Sequence, residues 1–172
     1  MVTGARIGEL IRLNVDHVDW DEKVLVIWDC KFTKSRELAL HPSTVVALRG
    51  YAALRGRSLP ASAAESLFVS PAGRRLAYST VQQTFHRLVR DAGLMPRSDR
   101  CRPHIHDARH SFAVRTVLGW YRDGVDVQAR LPWLSTYLGH RKPADTYWYL
   151  SAVPELLALA AERREQHRAV QL

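Results

Sequence analysis

Apolar residues in this chain recur at two different spacings, and the places where one gives way to the other limit the folds open to it. From about residue 17 to residue 40 the pattern is extended. Val24 to Trp28 are mostly β-branched and apolar, and KFTKSRELAL reads as the return strand of a hairpin-like unit. On either side the spacing is helical. ARIGELIRL, residues 5–13, sets Ile7, Leu10 and Ile11 on one face. Helical spacing returns after Pro42, whose position suits a helix start. Leu67-Phe68-Val69 is a short apolar run ended by Pro71 and Gly73. From Ser79 to Ala92, Val81, Phe85, Leu88, Val89 and Ala92 repeat at helical spacing before Gly93 stops the helix. Further helices are expected over 106–121, 126–138 and 144–150. A last one over 153–168 carries Val153, Leu156, Leu157, Ala160 and Ala161 as one apolar stripe. No internal repeat, low-complexity tract or linker interrupts the series. The expected fold class is α+β, mainly α-helical: a helical domain with a small antiparallel sheet near its N-terminus. The 172 residues fit one domain with a substantial core.

Charge narrows the partners. Twenty-five Lys and Arg against seventeen Asp and Glu leave a net +8. Such a balance favours a polyanion, nucleic acid being the commonest, over scattered solubilising charge. Clustering points the same way, because Arg97, Arg100, Arg102, Arg109 and Arg115 fall close together in sequence. No apolar run approaches the ~18 residues of a membrane span, and MVTGARIGEL lacks a basic-then-apolar leader. The expectation is an intracellular, cytoplasmic protein with no membrane partner. Cys30 and Cys101 lie far apart and in no CxxC arrangement, which indicates neither a disulfide framework nor a zinc ribbon.

Within that arginine cluster, RPHIHDARH (102–110) packs three histidines and two arginines around one Asp. A helix starting near His106 puts His106 and Arg109 at i and i+3 in its first turn, where backbone N–H groups and the helix dipole favour an anion. A phosphate fits well. Structural or surface histidines remain an alternative. Metal fits worse, since no nearby Cys or paired carboxylate completes a first shell around His104 and His106.

Three other stretches are weak when taken singly. TGARIGEL (3–10) leads through Gly and Arg into an amphipathic helix, a pattern that solubility alone would explain. Lys31 and Lys34 read by default as solvated strand-edge lysines. In LGHRKPADTYWYL (138–150), Gly139 ends one helix, His140 follows it and Pro143 restarts the next. That next helix presents Tyr147, Trp148 and Tyr149, residues usually found in a core or in stacking.

Taken together and in order, the four segments resemble the catalytic signature of the tyrosine recombinase (phage integrase) family. TGARIGEL looks like its first arginine box, with Arg6. Lys31 in KFTKSREL matches the lysine of its β-hairpin. HDARHSFA matches its His-x-x-Arg box, with His106 and Arg109. LGHRKPADTYWY matches its third box, in which a Gly-His is followed nine residues later by the nucleophilic tyrosine. Counting from His140 gives Tyr149, and Tyr147 falls two residues short. The resemblance covers nearly the whole chain. Ala108 stands where the family usually has leucine, and DVQARLPWLSTYLGH is a longer approach to the third box than in many members. The chain opens almost directly on the first box. Residues 1–172 are therefore read as a tyrosine recombinase catalytic domain, without the N-terminal core-binding domain and the first catalytic-domain helices.

The resemblance implies attack by the Tyr149 hydroxyl on a DNA phosphodiester, leaving a 3′-phosphotyrosine link and a free 5′-hydroxyl. Arg6 and Arg109 would clamp the phosphate by bidentate hydrogen bonds, a role for which a lysine's point charge is a poorer match. His106 would take the tyrosine proton, Lys31 would protonate the leaving oxygen, and His140 would position the phosphate. The covalent link conserves the bond energy, so no cofactor, metal or ATP is expected. The expected partner is double-stranded DNA, with a homo-tetramer assembling on it and a monomer in its absence. The 153–161 stripe would pack on its own domain or dock on a neighbouring protomer. The PADTYWYL ending is similar to members that move transposons. Two other readings stay open: a remnant that binds DNA as a module with little activity, and a type IB topoisomerase-like enzyme.

Overall fold

The computed structural model describes residues 3–29, 34–58, 65–96, 98, 101–140, 142 and 144–151. The chain divides into two compact units, one running to Arg109 and the other starting at His110.

In the first unit, helix α1 (Ile7–Arg12) and a single 3-10 turn (Val15–His17) lead into three strands. These are β1 (Val18–Asp19), β2 (Val24–Asp29) and β3 (Lys34–Ala39), antiparallel in the order β1-β2-β3. The expected hairpin-like unit thus gains a short third strand. Leu25 pairs with Leu38, and Ile27 with Arg36. Directly opposed residues share a face of the sheet, and Leu25, Ile27 and Leu38 are all buried. Arg36 therefore stands on the core-facing side of β3. Leu13, Val18, Leu40, Val45 and Leu67 are buried as well. Residues 13–15 run beside 65–67, where the Leu67 N–H donates to the Leu13 carbonyl (2.8 Å) and the Val15 N–H to that of Glu65 (2.9 Å). Arg75 fixes the end of α1: Nη1 donates to the Ile11 carbonyl at 2.9 Å, and Nη2 to Asn14 Oδ1 at 2.6 Å. It thereby occupies a carbonyl that the last helical turn leaves open.

Helix α2 (Pro42–Ser58) opens on Pro42 as expected, with the His41 carbonyl accepting from Thr44 and Val45. Helix α3 (Tyr78–Asp91) matches the expected segment to within one residue, but its stripe is less buried than the spacing suggested. Val81, Phe85 and Val89 are half-buried, and Leu88 is exposed. The reason is length. Within this unit α3 leans on α1, and six residues of helix span about 9 Å against about 21 Å for fourteen.

Helix α4 (Asp107–Arg122) leads into the second unit, which continues with α5 (Val127–Leu138) and α6 (Ala144–Ser151). Ala113 and Val117 of α4, and Val127, Leu131, Leu134 and Leu138 of α5, recur at helical spacing and form one core with Leu118. Phe112 stacks on Tyr137 with ring centroids 5.8 Å apart. Asp126 starts α5 by accepting from the Ala129 N–H at 3.2 Å. Gly139 ends it in the left-handed region (φ 68°, ψ 43°), and the His140 N–H closes back on the Ser135 carbonyl at 2.9 Å. The expected helices over 106–121, 126–138 and 144–150 are all present. The stripe over 153–168 lies outside the described residues. No described helix is long and apolar enough to cross a membrane.

Candidate functional site

Arg6 immediately precedes α1, and Glu9 turns back onto it. Glu9 Oε2 accepts from the Arg6 backbone N–H at 2.8 Å, satisfying a donor the helix start would otherwise leave open. Glu9 Oε1 accepts from Arg6 Nη1 at 3.0 Å, and Arg36 Nη2 reaches Glu9 Oε2 at 2.6 Å. The Arg6 side chain is 40% exposed, against 13% for Glu9 and 14% for Arg36. Arg36 and Glu9 are thus the sheltered pair, and Arg6 is the cation at the open edge. Burial pushes the Glu9 carboxyl up. Hydrogen bonds from Arg36 and Arg6, with the charge of Arg36, outweigh that and hold it below its ordinary 4.5.

The His-x-x-Arg box sits at the start of α4. Asp107 Oδ2 accepts from the His104 N–H at 2.7 Å, closing the turn that leads into the helix. His106 stands one residue ahead of α4 rather than within it and is exposed, while its carbonyl accepts from the Arg109 N–H at 2.9 Å. Arg109, by contrast, is 3% exposed. Its Nη1 donates to the Gly4 carbonyl at 2.7 Å, a bond made possible by a backbone turn at Gly4 with φ 58°. Two boxes more than a hundred residues apart meet at this bond.

In the second unit, the turn at Gly139 presents His140, whose Nδ1 lies 2.8 Å from Thr146 Oγ1. Thr146 is buried in α6, and Tyr149 follows it by three residues in the same helix. The histidine of the third box is therefore tied to the helix that carries the expected nucleophile. The Tyr149 side chain lies outside the described part of the structure, as does Lys31. Arg6, His106 and Arg109 belong to the first unit, His140 and Tyr149 to the second. Among the described residues no group of three or more His, Cys, Asp or Glu is placed to hold a metal ion.

Reading the sequence missed Glu9, Arg36, Gly4 and Thr146. Two of them left a signal. Glu9 follows Arg6 at the capping-box distance, and Arg36 alternates with Leu38 and Leu40, which puts it on the inward side of a strand.

The model of the phage integrase family matches residues 1–155. A Sinorhizobium fredii protein described as an integrase/recombinase, y4rB, is 43% identical over 166 residues, covering 96% of this chain and 53% of the relative. The chain spans about half the length of the curated relatives it matches. Among solved structures, the XerA recombinase superposes with a TM-score of 0.72 at 30% identity, over 97% of this chain and 54% of that one. The XerH site-specific recombinase bound to its palindromic difH substrate gives 0.68 at 22% identity, over 95% and 43%, a likeness of fold alone. On the family match over most of its length, its relatives and its shared fold, the chain belongs to the phage integrase family, the tyrosine recombinases.

Proposed function

We propose that residues 1–172 act as the catalytic domain of a site-specific DNA recombinase, cleaving and rejoining DNA strands through a 3′-phosphotyrosine link to Tyr149. The observation that carries this reading is the tie from the buried Arg109 guanidinium to the Gly4 carbonyl. It sets the arginine of the second box against the segment that leads into Arg6. Two planar guanidiniums suit a phosphodiester, because each offers parallel N–H donors to its nonbridging oxygens and both favour the charge that builds up during attack. The start of α4 adds the positive end of a helix dipole.

In the proposed reaction the Tyr149 oxygen attacks phosphorus, its proton passes to His106, and the 5′-oxygen leaves with a proton from Lys31. His140, oriented by Thr146, donates to the phosphate. The reverse attack by a 5′-hydroxyl restores the diester, so the bond energy is kept and neither ATP nor a metal is called for. The partner is double-stranded DNA, and the assembly on it is a homo-tetramer. The net +8 and the fold shared with a recombinase solved on its DNA substrate support that partner.

A nicked suicide duplex tests the nucleophile. The wild-type chain forms a detergent-resistant protein–DNA adduct, Tyr149→Phe forms none, and Tyr147→Phe retains it. An adduct with Tyr149→Phe would remove the assignment. Binding without an adduct in the wild type would leave only a DNA-binding module. Relaxation of supercoiled plasmids of any sequence would favour a topoisomerase.

A further inference from the structure

The arginine box is tied to the sheet by a charged contact that the reaction described above does not use. Arg36 stands on the core-facing side of β3, opposite Ile27, at a position where an apolar residue would be the ordinary choice. A cation there needs a partner, and Arg36 has one in Glu9. The same carboxylate holds Arg6 at two points, through the backbone N–H and through Nη1. One Glu9 oxygen is shared between Arg36 and the Arg6 backbone, and the other faces the Arg6 side chain. Arg36 is thus one of the groups that hold the carboxylate plane against which the Arg6 guanidinium rests. Arg36 Nη2 lies on the Glu9 carboxylate at 2.6 Å, so the path from it to the phosphate runs through Glu9 and Arg6.

We propose that Arg36 is a positioning residue for strand cleavage: acting through Glu9, it fixes the Arg6 guanidinium for the scissile phosphate and ties strand β3 to the arginine box. The proposal rests on the recombinase reading above and extends it to a residue outside the four boxes. Its signature is a dependence on the charge state of Glu9. With Arg36 present, Glu9 stays ionised in spite of burial. Without it, burial is opposed only by the two bonds from Arg6, and Glu9 takes up a proton at a higher pH than before, which loosens both of those bonds. Among the described residues, the charged and titratable groups around Glu9 are Arg6 just ahead of α1, Arg12 of α1, Arg36 of β3 and His17 of the 3-10 turn. His17 and Arg12 line a small cleft with Glu9. Because His17 shares that cleft, each protein is also measured with His17→Gln.

The test uses the full chain and two readouts on the same variants. NMR follows the Glu9 carboxyl carbon and the Arg6 backbone amide as pH falls from about 8 to about 4.5, and the suicide duplex gives the rate of adduct formation across the same range. The wild-type Arg6 amide is expected to stay flat. In Arg36→Met it moves together with the Glu9 titration, and the adduct rate relative to wild type falls at least about twofold further at the acidic end than at the alkaline end, as half-protonation of Glu9 requires. Arg36→Lys restores the flat amide. Arg36→Gln, which keeps one N–H donor without the charge, gives a smaller shift in the same direction and decides the matter should Arg36→Met fail to fold. An Arg6 amide that stays flat in the uncharged variants, or an adduct rate lowered by the same factor at every pH, overturns the role of Arg36. A wild-type chain that forms no adduct overturns the cleavage reading instead, and the amide readout still decides on Arg36.

Discussion

Arg109 shows what a single buried cation demands. At 3% exposure it stays charged because its fork has acceptors fixed in place, the Gly4 carbonyl among them. Arg109→Lys keeps the charge and loses the fork. We expect the fold to survive and adduct formation to fall by about 10² to 10³, the cost of removing one preorganised donor to a developing oxyanion. Single-turnover rates on the suicide duplex measure this. Glu9 gives a prediction about stability. Its carboxyl is held below the ordinary value of 4.5, so its ionised form contributes stability that is fully present above that value and is lost as pH falls through the lower folded-state value. Glu9→Gln should therefore cost about 1–3 kcal/mol at neutral pH. The gap from wild type should close as the solution is acidified past 4.5. Thermal melts across that range check it, and a gap that widens on acidification would contradict the assignment.

At the scale of the element, the ends of helices do most of the work of placing side chains. Gly139 closes α5 with φ 68°, and the N–H that turns back to Ser135 is that of His140. Gly139→Ala should cost about 1 kcal/mol. It should also slow adduct formation by more than its effect on folding, because His140 is displaced from Thr146. Gly139→Asn should do less harm, since asparagine tolerates this backbone region better. Denaturant melts alongside the cleavage assay separate the two effects. Arg75 acts at the end of α1, where it reaches the Ile11 carbonyl and Asn14. As these bonds lie at an exposed surface, Arg75→Ala should cost only about 1 kcal/mol in urea unfolding. Such ends were partly legible beforehand. Pro42 and Gly139 announce their helix boundaries through their own backbone chemistry, and Asp126 through a side-chain oxygen that accepts from the first turn. The depth to which α3 is buried was not legible, because it depends on how long its neighbour α1 is and not on the spacing of Val81, Phe85 and Leu88.

At the scale of the whole molecule, an excess of eight positive charges meets a proposed polyanionic partner. Affinity for duplex DNA should fall steeply with salt. A log–log slope of about −3 or steeper is expected if Arg6, Arg109 and the basic residues around them neutralise several phosphates, at roughly −0.9 for each. Fluorescence anisotropy over a salt series measures it, and a flat dependence would speak against a binding surface of this kind. The order of helices and strands could be read from the sequence because burial repeats with the local period of each element. The boxes could be read because reactive side chains are distinctive at fixed spacings. The contacts that join the boxes could not. Thr146 looks like any helical threonine until His140 is found against it, and the bond from Arg109 to Gly4 has a main-chain acceptor that leaves no mark on residue type.

That last bond has a consequence for chirality. Its acceptor is a peptide carbonyl, so no choice of side chain at position 4 can retune it; only the handedness of the backbone can. At φ 58° an L-residue is strained and its mirror image is at ease. A D-alanine introduced at position 4 by semisynthesis should leave the arginine anchored, whereas L-alanine at the same place should be felt at the far end of the first unit.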